Sequence, residues 1–177
     1  MDNVMKELPT RKRNRLQGYD YSQNGAYFIT ICTKDRAEIL GRIERTPVGA
    51  NCVRPLFRPK LSEIGCIVEN EISVISNTYF NIFVLHYVIM PNHIHMIIFN
   101  DGQDGRTVGA NCIRPHPTVS RIIKQWKGAI TKKIGYSVWQ KSFHDHIIRN
   151  ENDYKRIAEY IQNNPANWEN DCFYGGK

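Results

Sequence analysis

The segment VLHYVIMPNHIHMIIFN, Val84 to Asn100, constrains this chain more than any other. An apolar, β-branched run leads into Pro91-Asn92, and Ile94, Met96, Ile97 and Ile98 resume the same composition beyond it. Two such runs around a Pro-Asn turn form a β-hairpin. Side chains alternate faces along a strand, so His93 and His95 leave the second strand on one face, with ring nitrogens in reach of a single cation. A His-x-His on a strand is more often polar decoration or a core pair than a metal site. The pattern gains chemical meaning only from what the rest of the chain adds.

Around this hairpin the periodicities predict an α+β domain. Tyr27 to Thr33 reads as a strand, with Glu38 to Ile43 as its hairpin partner because sequence neighbours usually pair. Ile64, Val68, Ile72 and Ile75 recur at helical spacing behind Ser62, a cap residue, which predicts a helix from Leu61 to about Ser76. Thr118 to Ile134 carries Val119, Ile122, Ile123, Trp126 and Ile130 on one side, a second helix. An extended piece near Tyr136 to Gln140 and the segment Phe143 to Ile148 return to the sheet. A last helix begins after Asn150 and ends near Pro165, with Tyr154, Ile157, Ala158 and Ile161 as its packing stripe. Tyr160 and Asn164, four apart, lie on the edge of that stripe, poised rather than buried. A residue before proline is biased out of the helical region, so the side chain of Asn164 is expected to be aimed by the helix end.

The chain of 177 residues suits one domain with its own core. Cys32, Cys52, Cys66, Cys112 and Cys172 show no C-x-x-C spacing, which fits reduced thiols in a cytosolic protein and excludes a zinc ribbon. No run reaches the roughly 18 apolar residues of a membrane span. The reading is therefore soluble and cytoplasmic. A formal net charge of +7 favours a polyanionic partner, nucleic acid before membrane. Candidate phosphate contacts are Arg11, Lys12, Arg13 and Arg15 in a polar arm over residues 1–18, and Arg121, Lys124 and Lys132 on the outer face of the second helix. A solvated tail and a solvated helix face are the alternatives. Residues 19–177 form the domain proper.

Two loop insertions, over 46–58 and 101–117, contain nearly the same peptide: VGANCVRP at Val48 to Pro55 and VGANCIRP at Val108 to Pro115. Two short copies without a repeating core pattern do not make a solenoid, and one cysteine each without a histidine companion does not make a metal site. Their codons suggest an origin in a palindromic DNA element. The middle bases of Gly49, Ala50 and Asn51 (G, C, A) complement those of Pro55, Arg54 and Val53 (C, G, T), and Ile113 keeps the T of Val53. Every other pair in the stem includes a degenerate position. Codons in the gene that break the stem would remove this reading.

Three ordered blocks, YVIMPNHIHMII, WQKSFHDHIIRN and DYKRIAEYIQNNP, together resemble the REP-associated tyrosine transposases, a group within the HUH single-strand endonucleases related to the IS200-like transposases. The match spans about Tyr27 to Pro165. The resemblance implies a ferredoxin-like antiparallel sheet with helices packed on it. It also implies a substrate of single-stranded DNA hairpins from repetitive palindromic elements, cut through a 5′-phosphotyrosine intermediate. By motif, His93 and His95 resemble the paired metal ligands, Tyr160 the nucleophile and Asn164 a third ligand. His146 matches a family histidine that could contact the scissile phosphate or support the metal, whereas His144 has no such support. The resemblance favours Mg2+ or Mn2+, although two imidazoles in themselves suit manganese or zinc better than magnesium. A hairpin-binding protein without catalysis and a metal-dependent RNA nuclease or hydrolase are the rival classes. Monomer and homodimer both stay open. Trp126, Trp139, Phe143 and Trp168 are either core residues or platforms for unpaired bases.

Overall fold

Strict alternation makes Gly25–Cys32 (β1) the centre of the main sheet: Tyr27, Ile29 and Ile31 are buried on one face, and Phe28, Thr30 and Cys32 point to the other. The computed structural model describes residues 19–46, 56–102 and 118–176. Two further ribbons, Gly41–Thr46 (β2) and Leu56–Leu61 (β3), precede the helix Glu63–Thr78 (α1). Then come the predicted hairpin, Ile82–Ile89 (β4) and His93–Asn100 (β5), the helix Val119–Ile134 (α2), the strand His144–Ile148 (β6) and the helix Glu151–Asn163 (α3). The main sheet is antiparallel in the order β4-β5-β1-β6. With α1 and α2 as the crossovers, this is the ferredoxin-like α+β arrangement that the resemblance implied.

The helices start where their caps allow. Ser62 accepts from the Gly65 amide, Thr118 from that of Arg121 and Asn150 from that of Asp153, each satisfying an otherwise orphaned first-turn N–H. Gly135, at φ 92° in the left-handed region, closes α2. Val68, Ile72 and Ile75 of α1 and Ile122, Ile123 and Ile130 of α2 pack on Ile29, Ile31, Ile94, Met96 and Ile98. Burying each such side chain contributes about 1.5–3 kcal/mol. The opposite face of the sheet carries α3, whose Ile157 and Ile161 meet Val88, Met90, Ile97 and Trp168. Trp126, Trp139 and Phe143 are buried with the α1 and α2 core, so the large aromatics are structural rather than base platforms. Among the described residues, no helix is long and apolar enough to cross a membrane.

Two expectations are corrected. Glu38 to Ile43 does not pair with β1, because β5 and β6 occupy both of its edges. The chain turns away at Asp35 and Arg36, both at positive φ, and β2 pairs with β3 in a separate two-stranded sheet. Asn164 stays in the helical region, at φ −56° and ψ −42°, because Pro165 opens a 3-10 helix, Asn164–Asn170, at a position that needs no N–H donor. This continuation carries the Asn164 side chain inward, where it is 2% exposed, rather than leaving it poised at the surface.

The arm over 1–18, with Arg11, Lys12, Arg13 and Arg15, and the repeated peptides lie outside the described residues. The first insertion nevertheless has defined ends: Thr46 and Leu56 are cross-strand partners, so β3 begins inside the span 46–58 assigned to the insertion. The second joins the end of β5 to the cap of α2. Removing 48–55 outright would leave Pro47 alone between the paired Thr46 and Leu56, too short for a hairpin turn, so we expect the fold to stay intact when 48–55 is exchanged for Asn-Gly and 108–115 is removed. Circular dichroism and thermal melting check this, and an unfolded deletion variant would show that the peptides matter to the fold.

Candidate metal and tyrosine centre

Cross-strand register assembles the site on the α3 face. His93 is paired with Cys32, and His95 with Thr30, which is paired in turn with His144. The two histidine rings lie 4.5 Å apart between centroids, and both residues are buried. His93 Nδ1 is 2.9 Å from Asn92 Oδ1, an acceptor that places the proton on Nδ1. Its Nε2 is then a buried lone pair, and no hydrogen bond satisfies it. His95 Nδ1 is 2.9 Å from Thr30 Oγ1, and with the proton there the Nε2 lone pair faces the Tyr160 hydroxyl at 3.2 Å. Such outer partners fix ring orientation and tautomer in histidines that ligate metals.

The third donor comes from beyond α3. Asp171 offers a carboxylate oxygen to a set with His93 and His95 in which all ligand atoms fall within 4.8 Å of one another. Asn164 Nδ2 donates to Asp171 Oδ2 at 2.9 Å, and the Phe173 amide donates to Asp171 Oδ1 at 2.8 Å. Asn164 thus holds the carboxylate, while its own Oδ1 is buried without a partner. Asn92 Nδ2 donates to the Phe173 carbonyl, and the Phe173 ring lies 4.5 Å from that of His93. Arg36 spans this segment, with its guanidinium over Phe173 and a hydrogen bond to the Cys172 carbonyl. Two neutral imidazoles, one carboxylate and two unsatisfied buried acceptors fit a divalent cation, and the nitrogen donors suit manganese better than magnesium.

Burial pushes both imidazoles down to about 3; His93 is lowered further by Arg36, and His95 by His93 against the opposing pull of Asp171. They are therefore neutral, the form that binds metal. The unfolded chain protonates each ring below about pH 6.5, and the folded protein does so only near the depressed value. The metal-free protein should accordingly lose about 1.4 kcal/mol per ring for each pH unit below 6.5. Thermal melts between about pH 7.5 and 4.5 test this; a His93→Gln variant should show a shallower slope, and a melting temperature that ignores pH in the unmodified protein would contradict it.

Tyr160 projects from α3 against His95 and Phe28, with ring centroids 5.1 and 6.1 Å away, yet remains 42% exposed. Burial pushes its phenol up to about 12, with Asp171 and Cys172 adding to the rise. His146 is placed elsewhere: its Nε2 is 2.7 Å from Asp153 Oδ2, a carboxylate that Arg156 also engages. His86 pairs with Tyr154. On α2, Arg121, Lys124 and Lys132 are exposed, and the first two line a concavity while Lys132 lies beyond it. Asp171, Thr30 and Asn92 were not singled out from sequence. For Thr30 the available signal was its alternation within β1, facing the side of the histidines.

No family model matches the chain. An uncharacterized protein of Haemophilus influenzae is 31% identical to it over 182 residues, covering 93% of each chain. Among solved structures, the REP-associated tyrosine transposase bound to a REP hairpin superposes with a TM-score of 0.60 at 20% identity, over 87% of this chain and 74% of that one. The fold is thus that of the REP-associated tyrosine transposases. The chain belongs to one family with the Haemophilus influenzae protein.

Proposed function

We infer that this protein is a metal-dependent single-strand DNA endonuclease and strand transferase, acting in the cytoplasm on hairpins of repetitive palindromic elements. The observation that carries the reading is the placement of an exposed phenol, Tyr160, 3.2 Å from the Nε2 of a buried histidine belonging to the three-donor set. The similar transposase was solved on a REP hairpin, which supports the same class of partner here. His93, His95 and Asp171 would hold the cation, with Asn164 positioning the carboxylate through Nδ2 and offering its unpartnered Oδ1 as a further ligand. A divalent ion at that set supplies polarisation of a non-bridging phosphate oxygen.

The side chains do the remaining work. Tyr160 Oη attacks phosphorus, an O–P bond to tyrosine forms, and the P–O3′ bond breaks. The phenolic proton is passed to water while the departing 3′ oxygen takes one up, so no net proton is consumed. Phosphoester energy is kept in the protein–DNA link, and a 3′-hydroxyl can later reverse the step without a nucleotide cofactor. The phenol's raised value makes this attack slow in the absence of nearby positive charge.

Incubating single-stranded hairpins with the protein and Mn2+ or Mg2+ tests the reading on a denaturing gel. A 3′-labelled strand should become covalently attached to protein, and a 5′-labelled strand should shorten to a free 3′-hydroxyl end. Cleavage without attachment would support the hydrolase class, and binding without cleavage the non-catalytic class.

A further inference from the structure

Two concavities near the β6 edge of the sheet share one wall, Lys141 to Phe143. The first, of about 710 Å³, includes Thr30 and His144 from the site face and Lys34 beyond β1. The second, of about 580 Å³, lies along the opening turns of α2, where Arg121, Lys124 and Lys127 line it with Lys141. No carboxylate lines the second; in the first, Asp35 is outnumbered by Lys34 and Lys141. Lys127 is spent within the protein: its ammonium donates to the carbonyls of Gln140 and Ser142, tying the loop that carries Lys141 to α2.

We propose that the two adjoining concavities act as one basic groove, crossed at Lys141 to Phe143, that carries the unpaired DNA strand flanking the hairpin and binds it through its phosphates. The proposal rests on the single-strand DNA reading above and adds the route the strand takes. Charge complementarity points to the occupant, because in the second concavity Arg121, Lys124, Lys127 and Lys141 face no lining acid, and in the first Lys34 and Lys141 outnumber Asp35, a balance that favours a polyanion. Register supplies the connection. His95, Thr30 and His144 form one cross-strand row, and Thr30 lines the first concavity, so the groove starts about one strand spacing, roughly 5 Å, from the histidine that Tyr160 touches. Trp139 and Phe143 border the groove but are buried, which leaves phosphate contacts, and such contacts position a strand without reading its sequence. Lys127 is a positioning residue that holds Lys141 in place.

The test compares a hairpin with and without a tail of about ten thymidines, measuring dissociation constants across a salt series. The tail should raise affinity about tenfold in the unmodified protein, and Lys124→Glu with Lys141→Glu should remove that gain. Lys141→Gln alone should lower the slope of log affinity against log salt by about 0.7, the value for one phosphate contact on a single strand, whereas Lys141→Arg should retain it. A tail gain that survives the double charge reversal would overturn the groove, as would an equal gain from a duplex extension. A uridine tail bound better than thymidine would assign the groove to RNA and overturn it as well. Covalent attachment to Tyr160, followed in parallel, separates the two levels: attachment with an unaltered tail gain in the variants overturns the groove alone, and an unmodified protein that binds no hairpin overturns both readings.

Discussion

Tyr160→Phe will reduce covalent DNA attachment to background while changing hairpin affinity by less than about threefold. The substitution deletes the phenolic oxygen proposed as the nucleophile, and it removes little packing because the ring contacts with Phe28 and His95 remain. A second effect runs in the opposite direction. The His95 Nε2 lone pair can serve the Tyr160 hydroxyl or a cation, but not both. Removing a hydrogen bond worth about 1 kcal/mol should therefore tighten Mn2+ binding by about fivefold. Calorimetric titration with Mn2+ reads this independently of activity. Weaker binding in the variant would mean that the phenol supports the ion instead of competing with it.

The second large effect concerns the histidines. His93→Gln or His95→Gln should each take cleavage to background, and the double variant should be no worse than either single one, because both rings serve one ion. Glutamine keeps polar bulk in a buried position where alanine would open a cavity. Metal should also cease to stabilise the fold. In the unmodified protein, Mn2+ at 100 times its dissociation constant should add about 2.7 kcal/mol, a gain that each variant should lose. Additive losses, or a full metal-induced rise in melting temperature in either variant, would separate the two rings from a common site.

Much of this architecture was legible in the residues because hydrophobic period and cap chemistry agree locally. The hairpin around Pro91-Asn92, the caps Ser62 and Asn150, and the buried stripes of α1 and α2 all coincide with the observed elements. The β2–β3 ribbon was not legible. Leu56–Leu61 contains Arg58, Pro59 and Lys60, a poor strand by composition, and its pairing with Gly41–Thr46 depends on the chain leaving the main sheet at Asp35 and Arg36. Asp171 was equally hidden, because its place beside His93 and His95 depends on Pro165 continuing the backbone as a 3-10 helix. No periodicity in the sequence encodes that return. Asn164 shows the same dependence, since its burial and its hold on Asp171 come from one backbone choice at the proline.

The most direct test of the account is to trap the protein on a 3′-labelled single-stranded hairpin with Mn2+, digest the complex and map the modified peptide by mass spectrometry. The account predicts a DNA-linked peptide from α3 with the nucleotide on Tyr160, absent when a chelator is added before the DNA. A link at any other residue, or cleavage products that form with no linked peptide, would contradict it.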